Sequence, residues 1–305
     1  MQREPFGSRS ANDLFGESAR MFGQIVDLIQ RRTATRRYVF LREDAMDPQT
    51  TGTFNQRLWQ GLLQRLELCA YGTLAQTSRW ASSAVLAHKA QDFLIWSSST
   101  AELIEVAAHS YYVLKSGIVT LTTSYSIVSR CLSGNYIEKA ILAPALEEEL
   151  IKFIHQRPVT LDQGNNANGY EESLKRYLAA LPVDGKPDFE QAYKNIAYFG
   201  NQSRYGSNWM YDDLAQAQDG WTLAYPPSSE SEMRRIKSVA NHYGNLLHTL
   251  LYTILNGVLL VLKLNNLLTG HSAEVNKIDL GMIPGWLSLK EDLKSDVGEV
   301  RASRH

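Results

Sequence analysis

Cysteine is scarce: the 305 residues hold two, Cys69 and Cys131, 62 positions apart among apolar or small neighbours. That spacing supplies neither a disulfide framework nor a metal knuckle, so both are expected as buried free thiols, in keeping with a reducing cytosol. An excess of charge of either sign is also lacking. Lys plus Arg is 31 against 32 Asp plus Glu, a formal −1, so no global field draws the chain to nucleic acid or an anionic membrane, and any such contact needs a local patch. No apolar run follows Arg3 at the N-terminus, where Glu4 stands, so no signal peptide is expected and cytoplasmic residence is.

Several chemistries are missing their motifs. Phosphate-cradling loops need closely spaced glycines between a strand and a helix, and neither a P-loop nor G-x-G-x-x-G occurs, which sets aside kinases, ATPases and dinucleotide dehydrogenases. The nearest approach to a nucleophile elbow, Gly200 to Gly206 around Ser203, has the wrong spacing. A di-iron bundle needs Glu-x-x-His on two helices, and the chain has none. Glu105 with His109, and His88 with Asp92, share helical faces at four-residue spacing, but each pair reads first as a hydrogen-bonded boundary pair. Asp212-Asp213 has no second acidic motif to complete a metal site, so no metal and no cofactor is expected.

What remains is abundant apolar material in helical rhythm. With 44% hydrophobic and 21% charged residues the chain can bury a core, which excludes disorder as its main state. Phe15, Ala19, Phe22, Val26 and Ile29 recur at three- and four-residue steps and predict an amphipathic helix from Asn12 to about Arg32. After a turn at Pro48 to Gly52, Thr53 is a cap for a helix with Phe54, Leu58, Leu62, Leu63 and Leu66 as its stripe and a break near Gly72. A further helix covers Ser78 to Trp96, and Ser97 to Thr100 divides it from the next, through Leu103, Ala107 and Leu114.

The β-branched stretch Ile118 to Val128 invites a strand, yet it has no partner strand and is expected to be helical. Gly134-Asn135 marks a turn, Pro144 opens a helix ended by Arg157-Pro158, and Val159 to Gly169 reads as a loop. Tyr170 to Leu181 and, after an Asp188 cap, Phe189 to Phe199 are two more helices. Gly220 to Ser231 is expected to be a loop handing over to one long apolar helix, Glu232 to Leu268, closed by Gly270. A weak helix near Trp286 and a frayed end finish the chain. The apolar run Leu246 to Leu262 stops short of the ~20 residues a bilayer needs and contains His248, Thr249, Thr253 and Asn256, so a buried core helix without stable membrane insertion is expected. The fold class is all-α: a multi-helix bundle over 53–270, preceded by an N-terminal helix and basic linker in 1–52 and followed by a tail in 271–305.

Two constellations carry candidate chemistry. Residues 1–42 hold eight Arg against four acids, and Arg31, Arg32, Arg36 and Arg37 beside Tyr38 and Phe40 form a candidate grip on a phosphate backbone and a base. The alternative is a basic helix C-terminus covering a loop. On the last helix Arg235 and His242 stand seven positions apart, nearly two turns, on almost the same face. RNA cleavage by the 2′-hydroxyl requires an acid or base near neutrality and a cation on the phosphate, and His242 and Arg235 supply those types, with Arg234, Lys237 and Asn241 alongside.

The layout over residues 54–268, the stretch Ala192 to Ser207 before a Pro-containing loop, and the apolar last helix resemble the HEPN-type all-helical proteins of bacterial abortive-infection and toxin systems. Ribonuclease members of that family carry Arg followed four to six residues later by His. The resemblance implies a metal-independent, dimeric endoribonuclease with catalytic Arg235 and His242, although Ile236 stands where the family has a polar residue. Against it stands a catalytically silent helical module, binding a protein partner or itself. The 15 Tyr suit either an interaction surface or a core, and RNA remains a candidate ligand under the first reading.

Overall fold

A computed structural model describes residues 6–32, 50–155, 166–182, 188–200, 214–217, 220–223 and 228–270, with eight positions between 275 and 291. The fold is all-α: ten helices, α1 Arg9–Phe15, α2 Glu17–Arg32, α3 Thr51–Ala90, α4 Phe93–Thr123, α5 Tyr125–Leu132, α6 Pro144–His155, α7 Asn166–Ala180, α8 Phe189–Gly200, α9 Ser229–His242 and α10 Gly244–Thr269, run through the described residues. One small antiparallel hairpin interrupts them, β1 Leu214–Ala217 paired with β2 Gly220–Leu223 in the register Leu214 to Leu223. Gly220 was expected to open a loop; its first four residues are strand instead, because a partner segment lies two residues upstream.

The chain divides into two compact units. The first comprises residues 1–27, 75–109 and 172–253; the second comprises 28–74, 110–171 and 254–305. Helices α2, α3, α4, α7 and α10 contribute residues to both.

In the first unit the apolar face of α1 and α2 is buried through Ala11, Leu14, Phe15, Ala19 and Phe22, as the periodicity required. The helix begins earlier than expected, capped by Ser8, whose side chain accepts from the Ala11 amide at 3.2 Å. It also breaks at Gly16, whose φ of +59° and ψ of −152° suit glycine alone, and where a Cβ would approach the His248 ring at 3.3 Å. Phe93, Trp96, Leu103, Ile104 and Ala107 of α4 are also buried in this unit, with Phe189, Ala192 and Ile196 of α8 and Ile236 of α9.

In the second unit Leu58, Trp59, Leu62, Leu63 and Leu66 of α3 form the anticipated stripe, buried with Val113 and Leu114 of α4 and Ile254, Leu255, Val258, Val261 and Leu264 of α10. Gly117 lets α4 approach α3, since a Cβ there would fall 2.6 Å from Leu66 Cδ1. Cys69 and Cys131 are buried free thiols. Burial pushes the Cys69 thiol well up, against a smaller opposing effect of the Thr73 hydroxyl, and raises Cys131 against the pull of Arg130.

Several boundaries differ from expectation for identifiable reasons. Gly52, expected in a turn, lies inside α3, and Gly72 does not break it, so α3 runs 40 residues. The break falls at Gln91 rather than in the serine run. Asp92 N bonds to Ala87 O at 3.0 Å and Gln91 N to His88 O at 3.2 Å, a Schellman closure with Gln91 at φ +59°. Asp92 then caps α4, its Oδ1 accepting from the Ile95 amide at 2.9 Å. The serines stay helical because hydroxyls bond back to carbonyls of the preceding turn, as Ser97 Oγ does to Leu94 O at 3.0 Å. Thr122 and Thr123 do the same with Ile118 and Val119, and the β-branched segment is helical through Thr123 and again in α5. Asn166 to Gly169, expected in a loop, begin α7. The long final helix is two, parted at Tyr243 with φ −106° and ψ 12°, and it starts at Ser229 instead of Glu232.

Helix α10 is the buried apolar element expected near the C-terminus, and 72% of its most apolar 18-residue window is buried inside the protein. Its 26 residues are long enough to cross a bilayer, so the length argument made on Leu246 to Leu262 does not hold. Among its polar side chains Thr249 Oγ1 donates to Leu246 O at 3.0 Å and Asn266 Nδ2 to Asn276 Oδ1 at 3.0 Å, while Asn266 Oδ1 has no hydrogen-bond partner among the described residues.

Candidate functional site

Helix α9 starts on Ser228, whose side chain accepts from the Ser231 amide at 3.1 Å, and Glu230 and Glu232 lie in its first turn, where carboxylates suit the positive end of the dipole. Arg235, Ser238, Val239 and His242 follow at steps of three, four and seven and so share one face. Ser238, Val239, His242 and Tyr243 line a cavity of about 280 Å³ with Asn195, Tyr198 and Phe199 of α8. Two of its lining residues are joined, Asn195 Nδ2 donating to the Tyr243 hydroxyl, and Gln191 Nε2 donates to Asn195 Oδ1 at 2.9 Å. His242 is exposed, its ring edge-on to Tyr243 at 4.6 Å and 84°.

Arg235 is placed differently. Its side chain is 17% exposed, 4.0 Å from Glu232 Oε1, and its guanidinium carbon lies 6.0 Å from the centre of the Phe93 ring. Glu232 Oε2 in turn accepts from the Phe93 amide at 3.0 Å, so the pair caps the first turn of α4. Phe93 also meets Phe199 edge-to-face at 5.2 Å. The helix puts Arg235 and His242 on one face about 10 Å apart along the axis. Their side chains, however, serve different surroundings, a helix start and a surface cavity. Lys237 and Asn241 are exposed, and Arg234 pairs with Glu230 at 3.4 Å in the open.

The basic cluster receives no structural account. Arg31 and Arg32 are the last residues of α2, with side chains outside the described set, and Arg36, Arg37, Tyr38 and Phe40 lie outside the described residues, as do Ser203 and Asp212-Asp213. The two carboxylate–histidine pairs are each taken up separately. Glu105 Oε2 accepts from the Tyr193 hydroxyl at 3.1 Å, while His109 stacks on Tyr177 at 4.8 Å and 12°. His88 is 9% exposed and feels Asp13 and Lys237, whereas Asp92 caps α4. Among the described residues no group of three or more His, Cys, Asp or Glu is placed to hold a metal ion.

A surface that the sequence reading passed over lies in the second unit, in the strap between α5 and α6. Gly134 ends α5 at φ +73°, with Asn135 N bonded to Arg130 O at 3.0 Å. The chain then runs without helix to Pro144, yet it is firmly held. Asn55 is fully buried and makes three bonds to it: Nδ2 donates to Tyr136 O at 3.1 Å and to Lys139 O at 2.9 Å, and Oδ1 accepts from the Ile141 amide at 2.9 Å. Trp59 Nε1 donates to Ile141 O at 3.1 Å and Gln56 Nε2 to Leu132 O at 3.0 Å. Gly52 completes the seat, for a Cβ there would stand 2.7 Å from Gly134 O. Tyr136 is buried under the Arg130 guanidinium at 4.9 Å, and Arg130 also reaches Glu138 at 3.5 Å. The result is an ordered strap that leaves Ile137 69% and Leu142 62% exposed.

The sequence held one signal for this strap. Asn55 stands one turn before Leu58 and Trp59, in line with the apolar stripe of α3, and a polar residue on a buried face must find partners. The partners themselves, 81 to 86 positions away, are carbonyls and an amide and leave no trace in side-chain pattern. No family model, curated protein or solved structure matches the chain.

Proposed function

We propose that the chain is a catalytically silent helical module that acts by binding protein, in the cytoplasmic setting of a bacterial defence or toxin system. The observation that carries the binding role is the strap. Four side-chain hydrogen bonds, three from Asn55 and one from Trp59, hold a non-helical segment in place, while two large aliphatic side chains stay in water. Apolar side chains on a fixed backbone are what a binding surface needs, because little ordering is left to be done on contact. The setting rests on the resemblance in helix layout to HEPN-type proteins alone.

A second reading, the metal-independent endoribonuclease, has one observation in its favour: His242 is exposed beside an aromatic-lined cavity. The engagement of Arg235 with Glu232 and Phe93 weighs against it, since a phosphate would have to draw the guanidinium from a half-buried seat. The deciding experiment incubates the purified full chain with single-stranded RNA in EDTA, beside His242→Ala. The module reading expects intact RNA with both proteins. Cleavage by the parent that His242→Ala abolishes would establish the ribonuclease instead.

A further inference from the structure

Four of the seven side chains that line the cavity between α8 and α9 are rings, and no Asp, Glu, Lys or Arg is among them. We propose that this cavity binds an uncharged, flat ring compound that carries a carboxamide or lactam and no phosphate. The site is made of residues 195–199 and 238–243 alone, so it stands whether or not the strap binds protein.

Shape and size select a ring. Tyr198 and Phe199 meet at 5.3 Å and 83°, and His242 and Tyr243 at 4.6 Å and 84°, so each pair sets an edge beside a face, the two surfaces on which an aromatic guest packs. The volume of about 280 Å³ lies at the small end of ligand pockets, which run from roughly 300 to 1,000 Å³, and limits the guest to one or two fused rings. Asn195, Tyr198, Ser238 and His242 are exposed, so a ligand reaches the cavity from water.

The polar groups select the substituent. The Asn195 amide spends one hydrogen on Tyr243 and one lone pair on Gln191, which leaves it one donor and one acceptor site. The Tyr243 hydroxyl accepts from Asn195 and keeps its own proton to give. A carboxamide or lactam brings both an N–H and a carbonyl and answers both needs. A carboxylate only accepts, and like a phosphate it would meet no permanent cation among the lining residues. Arg235, on the same face of α9, is engaged with Glu232 and Phe93.

Isothermal titration calorimetry of the full chain with three probes tests this: indole-3-carboxamide, indole-3-carboxylate and cyclohexanecarboxamide. The aromatic amide is expected to bind with a Kd of roughly 0.01–1 mM, the range open to so small a ligand, and the other two at least tenfold more weakly. Ser238→Trp, a change at an exposed position, fills the cavity and is expected to abolish binding. Asn195→Asp removes the amide hydrogens and draws the Tyr243 proton onto the new carboxylate, so binding of the aromatic amide is expected to fall at least tenfold. Both variants are expected to keep the circular dichroism of the parent. Absence of heat with indole-3-carboxamide overturns the proposal, as do equal binding of the carboxylate or the saturated ring and binding undiminished in Ser238→Trp. Displacement of the amide by a single-stranded oligoribonucleotide would give the cavity to nucleic acid and overturns it as well.

Discussion

At the scale of single residues, the strap depends on Asn55. Removing its side chain strands two carbonyls and an amide, part of them shielded from water, and Asn55→Ala is expected to cost about 2–4 kcal/mol of unfolding free energy in urea titration. A loss below half a kcal/mol would mean that the strap is not held as described. His88 provides a second residue-level test. Burial lowers its pKa below 6.5, assisted by Lys237 and opposed by Asp13, and its Nδ1 has no hydrogen-bond partner among the described residues. The folded chain therefore holds His88 neutral where the unfolded chain takes up a proton. Its contribution to stability is complete above pH 6.5 and is lost as pH falls below that value. His88→Gln is expected to flatten the decline in melting temperature on the acid side of 6.5, and an unchanged slope would count against this assignment. Arg235 and His242 show how far spacing can be read. Seven positions put the two on one face, but what each guanidinium or imidazole meets comes from residues far away in sequence, Phe93 for one and Asn195 with Tyr243 for the other.

At the scale of elements, periodicity gave the helices and their buried faces, and capping chemistry decided their ends. Where the ending residue had a distinctive type, as with Gly134, Pro144, Asp188 and Gly270, the boundary could be read directly. The junction of α3 and α4 could not be, because Gln91 takes a left-handed position usually given to glycine, and the polar run Ser97 to Thr100 mimics a loop while bonding inside a helix. That reading has a consequence: Gln91→Gly is expected to raise stability by about 0.5–1 kcal/mol in thermal unfolding, since it relieves a β-carbon clash at no cost to the helix interior. Destabilisation would show that the Gln91 side chain contributes more than its backbone strain costs. The division of the last helix at Tyr243 was hidden for a related reason, as its side chain is tied to Asn195 across the cavity and nothing near 243 in the sequence names that partner.

At the scale of the whole molecule, the all-helical character follows from an apolar rhythm sustained along most of the chain. Among the described residues one hairpin interrupts that rhythm, and its four-residue strands are too short to show a periodicity of their own. Both units bury continuous apolar faces, and α10, the most apolar element, contributes to each. Against that burial the strap stands out as a rigid surface segment with Ile137 and Leu142 left in water. If it is where the module binds protein, a second copy included, the signal must be local and must depend on concentration. Hydrogen–deuterium exchange of the full chain, followed by mass spectrometry at low and high protein concentration, reads this directly. The amides of 137–142 are expected to gain protection as concentration rises, while those of 195–199 and 238–242 around the cavity do not change. Exchange across the strap that is the same at every concentration would contradict the account.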